Sequence, residues 1–377
     1  MTKREHTMET ERVFALVVGA GPAGSTAARE LLRAGLGPVA MVDRAEFPRL
    51  KPCAGGLSPA SMEVLGELDL HDRVRAMAHR IDGALLQAPS GLSVRFEGGQ
   101  GTLVLSREKL DAFLASEAVA LGAAFRQGLR ITSIAQTAGG LLEARAGRDR
   151  AFLARHVVVA AGASGGPICG SPLPPGALFS LTCWYRGVHC DPKVVEMYFD
   201  PELAPQYGWL FPEGDGRTNI GICVDRRRLA GARISEVFER FLGRHFVGRL
   251  DGATPLGPHR GHPIAASGWV PTPRVSPGVL VVGEAARLAN RISGEGIFHA
   301  LVSGRLAAQA IRDQSTRRGT PGEASRQHLR ALRLSLGPGL LLADQLSSLA
   351  PSAMDLLAWI GQRQGPRAIM GRLLAKL

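Results

Sequence analysis

The chain of 377 residues is 45% apolar and 21% charged, enough to bury a large core in two packed domains or in one domain with an insertion. Its 47 glycines and 24 prolines are scattered through periodic apolar segments, which excludes a low-complexity chain and favours a loop-rich α/β or α+β enzyme. The 45 basic against 33 acidic residues leave a net charge of +12, yet no basic run exceeds Arg226-Arg227-Arg228, so charge by itself selects neither nucleic acid nor membrane.

The predicted elements start at residues 13–18, a short continuous apolar run like that of a strand buried on both faces. A glycine-rich turn follows, then a helix over 22–33 with Pro22 in its first turn, then a second buried strand over 39–42. Residues 61–77 read as one helix, 84–96 and 102–105 as strands around Gly and Ser turns, and 107–121 as a helix. Three short strands lead on to the apolar run 157–160. Between about 166 and 268 strand-like pieces (179–186, 194–199, 209–211, 219–224) alternate with Pro/Gly turns, interrupted by one helix at 234–242. The chain returns with a buried strand at 279–282 and a helix at 296–312. Beyond 314 come three or four short amphipathic helices separated by Pro338, Pro351 and Pro366.

Lys3 and Arg4 ahead of the first apolar stretch imitate a signal peptide, but Glu5, Glu9 and Glu11 break that pattern. The five cysteines (Cys53, Cys169, Cys183, Cys190, Cys223) form no CxxC pair and have no paired histidine spacing, so no metal site is expected. A sparse, odd set suits a reducing compartment. No run approaches the roughly 18 apolar residues of a spanning helix. A cytoplasmic protein is expected.

Gly19-Ala20-Gly21-Pro22-Ala23-Gly24 fits GxGxxG between a predicted strand and a predicted helix. The first glycine permits the tight turn, the second lets backbone approach a pyrophosphate, and the third lets helix and strand pack closely. The helix N-terminus adds N–H donors and partial positive charge. Asp43, followed by Arg44, ends the next strand, where a carboxylate can accept hydrogen bonds from ribose hydroxyls. A dinucleotide site follows from this context, without saying which dinucleotide. The far end of the chain is more selective. Val281-Val282-Gly283-Glu284-Ala285-Ala286 and Ile292-Ser293-Gly294-Glu295-Gly296-Ile297 resemble the second flavin signature of glutathione-reductase-type flavoproteins. That resemblance implies FAD, with Glu284 at the ribityl chain and Gly294, Gly296 and Ile297 opening a helix toward the flavin pyrimidine, where reduction places negative charge.

Two further segments are more specific: Phe47-Pro48-Arg49-Leu50-Lys51-Pro52-Cys53-Ala54-Gly55-Gly56 and Tyr207-Gly208-Trp209-Leu210-Phe211-Pro212. With Gly19 to Gly24 and the stretch 283–304, which includes Ser303-Gly304, they resemble the geranylgeranyl reductase family of FAD-dependent oxidoreductases, related to aromatic hydroxylases and flavin halogenases. The resemblance implies that Arg107, opening a helix that carries Asp111, reaches the cofactor and that Ile131 lies on a strand against the adenine. Departures are Glu284 for the usual aspartate, Arg287 for a glycine, and Ala54 for a glycine beside the flavin. Ala161-Gly162 stands for an Asp-Gly that serves FAD and NADPH binding in hydroxylases; Gly162 keeps a cofactor-binding role. These departures suggest a specialised branch of the family.

The fold class expected is α/β: a Rossmann-like FAD-binding domain (10–165 and 270–313), an inserted mainly antiparallel β substrate domain (166–269), and C-terminal amphipathic helices (314–377). The leading activity is hydride reduction of isoprenoid C=C bonds in a lipophilic substrate, with NAD(P)H as electron donor. The alternative is an NAD(P)H- and O₂-dependent monooxygenase that epoxidises or hydroxylates a prenylated aromatic. Cys53 is read as a catalytic residue that contacts substrate or relays a proton, or else as a small hydrophobe in its loop. Tyr207 and Trp209 are read as the aromatic wall of the pocket, a pattern that ordinary sheet core also produces. The other cysteines and His299 are expected in the core or, for His299, on the surface. Lys51 is read as a partner of flavin or substrate or as solvated, and residues 259–262 as a solvated turn. Residues 312–377 hold ten basic and four acidic residues, half the net charge, on helices such as 340–349 and 368–377. That pattern suits a peripheral membrane contact through the C-terminal helices, and nucleic acid is not an expected partner.

Overall fold

Strand β1 (Glu9–Val18) runs through the middle of a seven-stranded sheet in the computed structural model, which describes residues 8–97, 102–165, 168–169, 173–174, 176–229, 231–347 and 350–361. Its last four residues are buried, as a strand covered on both faces requires. Helix α1 (Pro22–Arg33) leads to strand β2 (Val39–Val42), which lies parallel to β1, closing the predicted β-α-β unit. On its other side β1 pairs in parallel with Arg150–Val159. That long strand divides its far edge. Its first half takes Leu142–Ala146 antiparallel, and Val157–Val159 takes the returning strand Val279–Val281 in parallel. The inserted segment therefore leaves and re-enters at one strand of the sheet.

The predicted single helix over 61–77 is two helices, α2 (Pro59–Glu67) and α3 (His71–Met77). Asp69 takes a left-handed conformation (φ 58°) between Leu68 and Leu70, and the turn there buries both leucines, which a straight helix would not do. Helix α2 begins earlier than expected because Ser58 caps it through the Ser61 N–H and Pro59 occupies its first position. Helix α4 (Arg107–Ala120) follows as predicted.

The second sheet has eight strands. In order they are Thr254–Pro255, Leu178–Arg186, Arg217–Asp225, Gly208–Gly214, Val194–Tyr198, Gly83–Gln87 and Ser93–Glu97, with Arg260–Ile264 also paired to Leu178–Arg186. All pairs are antiparallel except Val194–Tyr198 with Gly83–Gln87. The hairpin Gly83–Glu97 therefore belongs to this sheet although it precedes the glycine-rich Gly166 stretch, which lies outside the described residues. Helix α5 (Ile234–His245) covers one face, where Phe238, Phe241 and Phe246 pack with Leu210 and Ile222.

Helix α6 (Ile297–Thr316) follows the return strand, and α7 (Pro321–Ser335), α8 (Gly337–Ser347) and α9 (Ala350–Gly361) complete the described chain. Pro338 and Pro351 sit at the second positions of α8 and α9, so they start these helices rather than merely separate them. Pro366 and the helix expected at 368–377 lie outside the described residues. Helix α6 crosses α1 at Gly304, where a side chain would collide with the Ala23 carbonyl. Around the crossing the core is mainly alanine (Ala23, Ala27, Ala300, Ala307, Ala308), which keeps the two helices close.

Gly304→Ala is expected to cost about 1–3 kcal/mol, the usual size of an overpacking error. Gly339→Ala, where an added methyl meets nothing within 4 Å, is expected to be neutral or slightly stabilising. Urea unfolding of the two variants, read by circular dichroism, checks the contrast.

Candidate active site

The turn between β1 and α1 is fixed by backbone and by one carboxylate. Gly19 adopts φ 104° against the Ala160 carbonyl, a place and conformation closed to any side chain. Gly24 sits where a Cβ would strike the Gly19 carbonyl, so the helix can start directly under the turn. Asp43, at the end of β2, accepts the Ala20 N–H on Oδ2 and the Ala45 N–H on Oδ1, both at 2.9 Å. Each oxygen keeps a lone pair for a further donor, and Asp43 lines the cavity described below.

Over the second glycine of the turn stand two guanidinium groups. A Cβ built on Gly21 would lie 3.5 Å from Arg49 Nη2 and 3.7 Å from Arg107 Nη2. Arg107 and Asp111 form a two-pronged pair at 2.7 and 2.9 Å one turn apart on α4, and Arg49 meets the same carboxylate at 2.9 Å. Burial disfavours charge on Arg107, but Asp111 outweighs it and holds the guanidinium pKa above its ordinary value. Two cations against one anion leave positive charge beside the α1 N-terminus, the arrangement a pyrophosphate requires.

The second helix start is built by Asn290. Its Oδ1 accepts the N–H groups of Ile292 and Ser293, and its own N–H donates to the Glu295 carbonyl, closing the turn before α6. Gly294 takes φ 67° with the Tyr207 hydroxyl close by, and that hydroxyl donates to the Ser293 carbonyl. Burial pushes the Tyr207 phenol pKa up, so it remains a donor. Glu284 lies behind this turn. Its Oε2 is 3.2 Å from Lys51 Nζ and 3.6 Å from His262 Nε2, and its Oε1 accepts the Ala265 N–H at 3.2 Å. Burial opposes its charge, but Lys51 and His262 hold the carboxyl well below the usual carboxylate range.

These groups surround one cavity of about 810 Å³. From the first sheet and the loops and helices packed on it come Gly19, Gly21, Pro22, Ala23, Asp43, Arg44, Arg107 and Ile131; from the second sheet and its loops come Phe96, Val195, Met197, Phe199, Trp209 and Phe211; Cys53, Gly162, Tyr207, Glu284, Gly294, Gly296 and Ile297 also line it. Of the site residues expected from sequence, only Ala20 and Gly24 are off the wall, one bonded to Asp43 and the other packed beneath the turn. Tyr207, Trp209 and Phe211 share one face, as their alternation predicts, and Trp209 is oriented by its indole N–H to Asn219 Oδ1 at 2.7 Å. Phe211 touches the position of Gly56 and Ala54 packs in the same cluster, so the two most specific sequence segments meet. Helices α1 and α6 both start on the cavity wall. The glycine cradle, the Asp43 carboxylate and the paired arginines fit FAD.

Several expectations change. Ile131 precedes the strand Ser133–Gln136 instead of lying on it. Residues 259–262 are not a solvated turn: Arg260–Ile264 is a strand, and Arg260 and His262 line the cavity. Lys51 pairs with Glu284. His299 is buried off the cavity wall, its pKa lowered to about 4 by burial. Cys169, Cys183 and Cys223 are buried, whereas Cys190 is half-buried, and Cys223 reaches the cavity. Glu295 is the residue that sequence reasoning passed over. It lies inside the Gly294-to-Ile297 segment and lines the cavity, its Oε1 accepting the hydroxyls of Ser58 and, at 3.3 Å, Ser61. Burial raises its pKa against the opposing effect of the two serines.

The family model described as FAD binding domain matches residues 12–167, and the one described as geranylgeranyl reductase catalytic domain matches 181–253. The chain is 31% identical over 327 residues to the digeranylgeranylglycerophospholipid reductase of Thermoplasma acidophilum, covering 81% of this chain and 79% of the relative. It is 29% identical over 327 residues to the menaquinone reductase of Mycolicibacterium smegmatis, covering 80% and 76%. A solved geranylgeranyl bacteriochlorophyll reductase-like protein from T. acidophilum superposes with a TM-score of 0.81 at 25% identity, covering 97% of this chain and 96% of that one. A flavin-dependent brominase superposes at 0.75 with 18% identity, covering 97% and 93%, and shares the fold.

The depressed pKa of Glu284 makes stability depend on acid. Its contribution is complete above the ordinary glutamate value of about 4.3 and is lost as pH falls below it toward the depressed folded value. Lys51→Met is expected to lower the melting temperature at pH 7 and to flatten its decline below about pH 4.3. Thermal unfolding across that range measures both effects.

Proposed function

The chain belongs to the geranylgeranyl reductase family of FAD-dependent oxidoreductases, and from that premise we propose that it saturates carbon–carbon double bonds in the prenyl chain of a lipophilic substrate. The observation that carries the reading is one cavity that joins a glycine-rich, cationic lining from the first sheet to an apolar, aromatic lining from the second. Both relatives compared above are named reductases, which supports reduction over oxygen insertion.

Bound FAD, once reduced, supplies a hydride; the chain binds, aligns and excludes water. Gly19 to Gly24 with the α1 N-terminus would hold the pyrophosphate, Asp43 and Arg44 the adenosine side, and Arg107 with Arg49 the phosphate charge. Gly162, Glu284 and the Gly294–Ile297 turn would hold the ribityl and flavin end. An isolated alkene is a poor electrophile, so the reaction depends on close alignment in a dry chamber. Trp209, Tyr207 and the phenylalanines supply that chamber, and Cys53, on the same wall, would touch the substrate. NAD(P)H is the proposed electron donor. We assign FAD binding to 10–165 and 270–313, and the substrate chamber to 166–269 with the hairpin Gly83–Glu97.

Prenyl chains partition into membranes, which gives the C-terminal helices a role. Leu341, Leu342 and Leu346 on α8 and Leu356 and Trp359 on α9 are exposed, while Met354 of α9 reaches the cavity. Among the described residues no helix is long and apolar enough to cross a membrane. We therefore assign these two helices to peripheral contact with a lipid surface, beside the chamber that receives the chain.

Anaerobic incubation of the dithionite-reduced protein with a geranylgeranyl lipid or menaquinone is expected to give products heavier by two hydrogens per saturated bond. A product that gains an oxygen atom, and only in air, would refute reduction. NAD(P)H replacing dithionite should sustain the same product through repeated turnovers. Leu342→Glu with Leu346→Glu is expected to abolish co-flotation with phospholipid vesicles; unchanged flotation counts against the membrane role.

A further inference from the structure

The proposed reduction needs a proton as well as a hydride, and the cavity offers few groups that can hold one. Among its carboxyl groups, Asp43 is held by two backbone N–H groups and Glu284 by Lys51, and Glu97 is exposed. Cys53 faces the Arg107 guanidinium. Glu295 differs from all of these: it stands in the turn at the head of α6, on the cavity wall, with hydroxyls rather than cations as partners.

We propose that Glu295 is the acid that delivers the proton to the alkene. The proposal rests on the reading of the protein as a prenyl reductase. Ser58 and Ser61 both donate to Oε1, and among the described residues no group bonds Oε2. This leaves Oε2 as the oxygen that would carry the proton of the neutral acid, with Oε1 as its acceptor. The ionisable groups beside it are Tyr207 from the aromatic wall and His299 on α6. His299 lies one turn along α6 from Glu295, and its pKa of about 4, lowered by burial, leaves it neutral at pH 7. Neither is a cation at neutral pH, so neither draws the proton off the carboxyl. Burial acts in the same direction.

The step balances. Reduced FAD, when bound, would supply the hydride pair for one C–H bond. The π pair of the alkene takes the proton from Glu295, forming the second C–H bond as the O–H bond breaks. The alkene gains two electrons, which bound, reduced FAD would supply, and the carboxylate left on Glu295 recovers its proton from water. The two serines then stabilise the transient anion, which makes the same pair of hydroxyls useful in both protonation states.

The test uses FAD-loaded wild type, Glu295→Gln and Glu295→Asp, reduced anaerobically and given digeranylgeranylglycerophospholipid in detergent. Glu295→Gln keeps the acceptor oxygen for the serines, so it is expected to retain flavin, yet to lose about 10²–10⁴-fold in turnover, the range of a general acid. Glu295→Asp is expected to recover part of that loss. Independently of turnover, an infrared pH titration of the cofactor-free protein is expected to show a carboxyl that stays protonated at neutral pH in wild type and is missing in Glu295→Gln. Wild-type turnover by Glu295→Gln, or no such carboxyl, overturns the proposal. If wild type and variant alike leave the lipid unreduced, the reductase reading itself fails and the proposal falls with it.

Discussion

Two helices cross at a point where side chains are excluded, and both of them start at the same cavity. Gly304 of α6 lies against the Ala23 carbonyl of α1, and a Cβ on Gly283 would come within 3.0 Å of the Ala23 Cβ. Because backbone limits the approach, the two N-termini are brought to one cavity wall instead of being held apart by side chains. Each contributes partial positive charge and N–H groups, the first suited to a pyrophosphate and the second to the negative charge of a reduced flavin. The glycine turn at 19–24 and the segment 283–304 are therefore parts of a single device. Neither would be placed correctly without the alanine-rich contact between them.

A second constraint joins the cofactor half to the chamber. Glu284 sits at the end of the return strand, yet its carboxylate engages Lys51 from the loop after β2, His262 from the edge of the second sheet, and the Ala265 N–H. A half-buried carboxylate left without partners would cost several kcal/mol, so these contacts are obligatory once the glutamate is in place. Its extra methylene relative to aspartate extends its reach toward them. The acid that resemblance assigns to the ribityl chain is thus already held by the protein, and both sheets share in holding it. That is a physical meaning for one of the departures from the family pattern.

The parts of the structure legible in the sequence are those set by local chemistry. Pro22 at the head of α1, the apolar runs of β1 and β2, and the alternation of Tyr207, Trp209 and Phe211 each carry their geometry within a few residues. The parts not legible depend on distant partners. The hairpin Gly83–Glu97 looks like any hairpin, and only its parallel pairing with Val194–Tyr198 assigns it to the second sheet. The break at Asp69 follows from the need to bury Leu68 and Leu70 together, which helical periodicity does not express. Glu295 was visible as a letter inside a glycine-rich motif, but its serine partners lie more than 230 positions away. Without them it reads as a turn residue.

The charge excess divides differently from the expectation that it decorates the terminal amphipathic helices. The described helices α8 and α9 contain no lysine or arginine; the basic residues of this region lie upstream, from Arg312 to Arg333, or beyond residue 361. The two acids of α8 and α9 serve as ties. Asp344 approaches Arg291 at 3.6 Å, and Asp355 accepts the Ser90 N–H at 3.0 Å, linking the helices to the segment before α6 and to the hairpin of the second sheet. With their acids turned to the protein, the helices present leucines and Trp359 outward. A surface of that composition gains more from apolar burial, roughly 25 cal/mol per Å², than from attraction to anionic headgroups. Contact with lipid through α8 and α9 would therefore tolerate salt, and the arginines upstream would act on orientation more than on affinity.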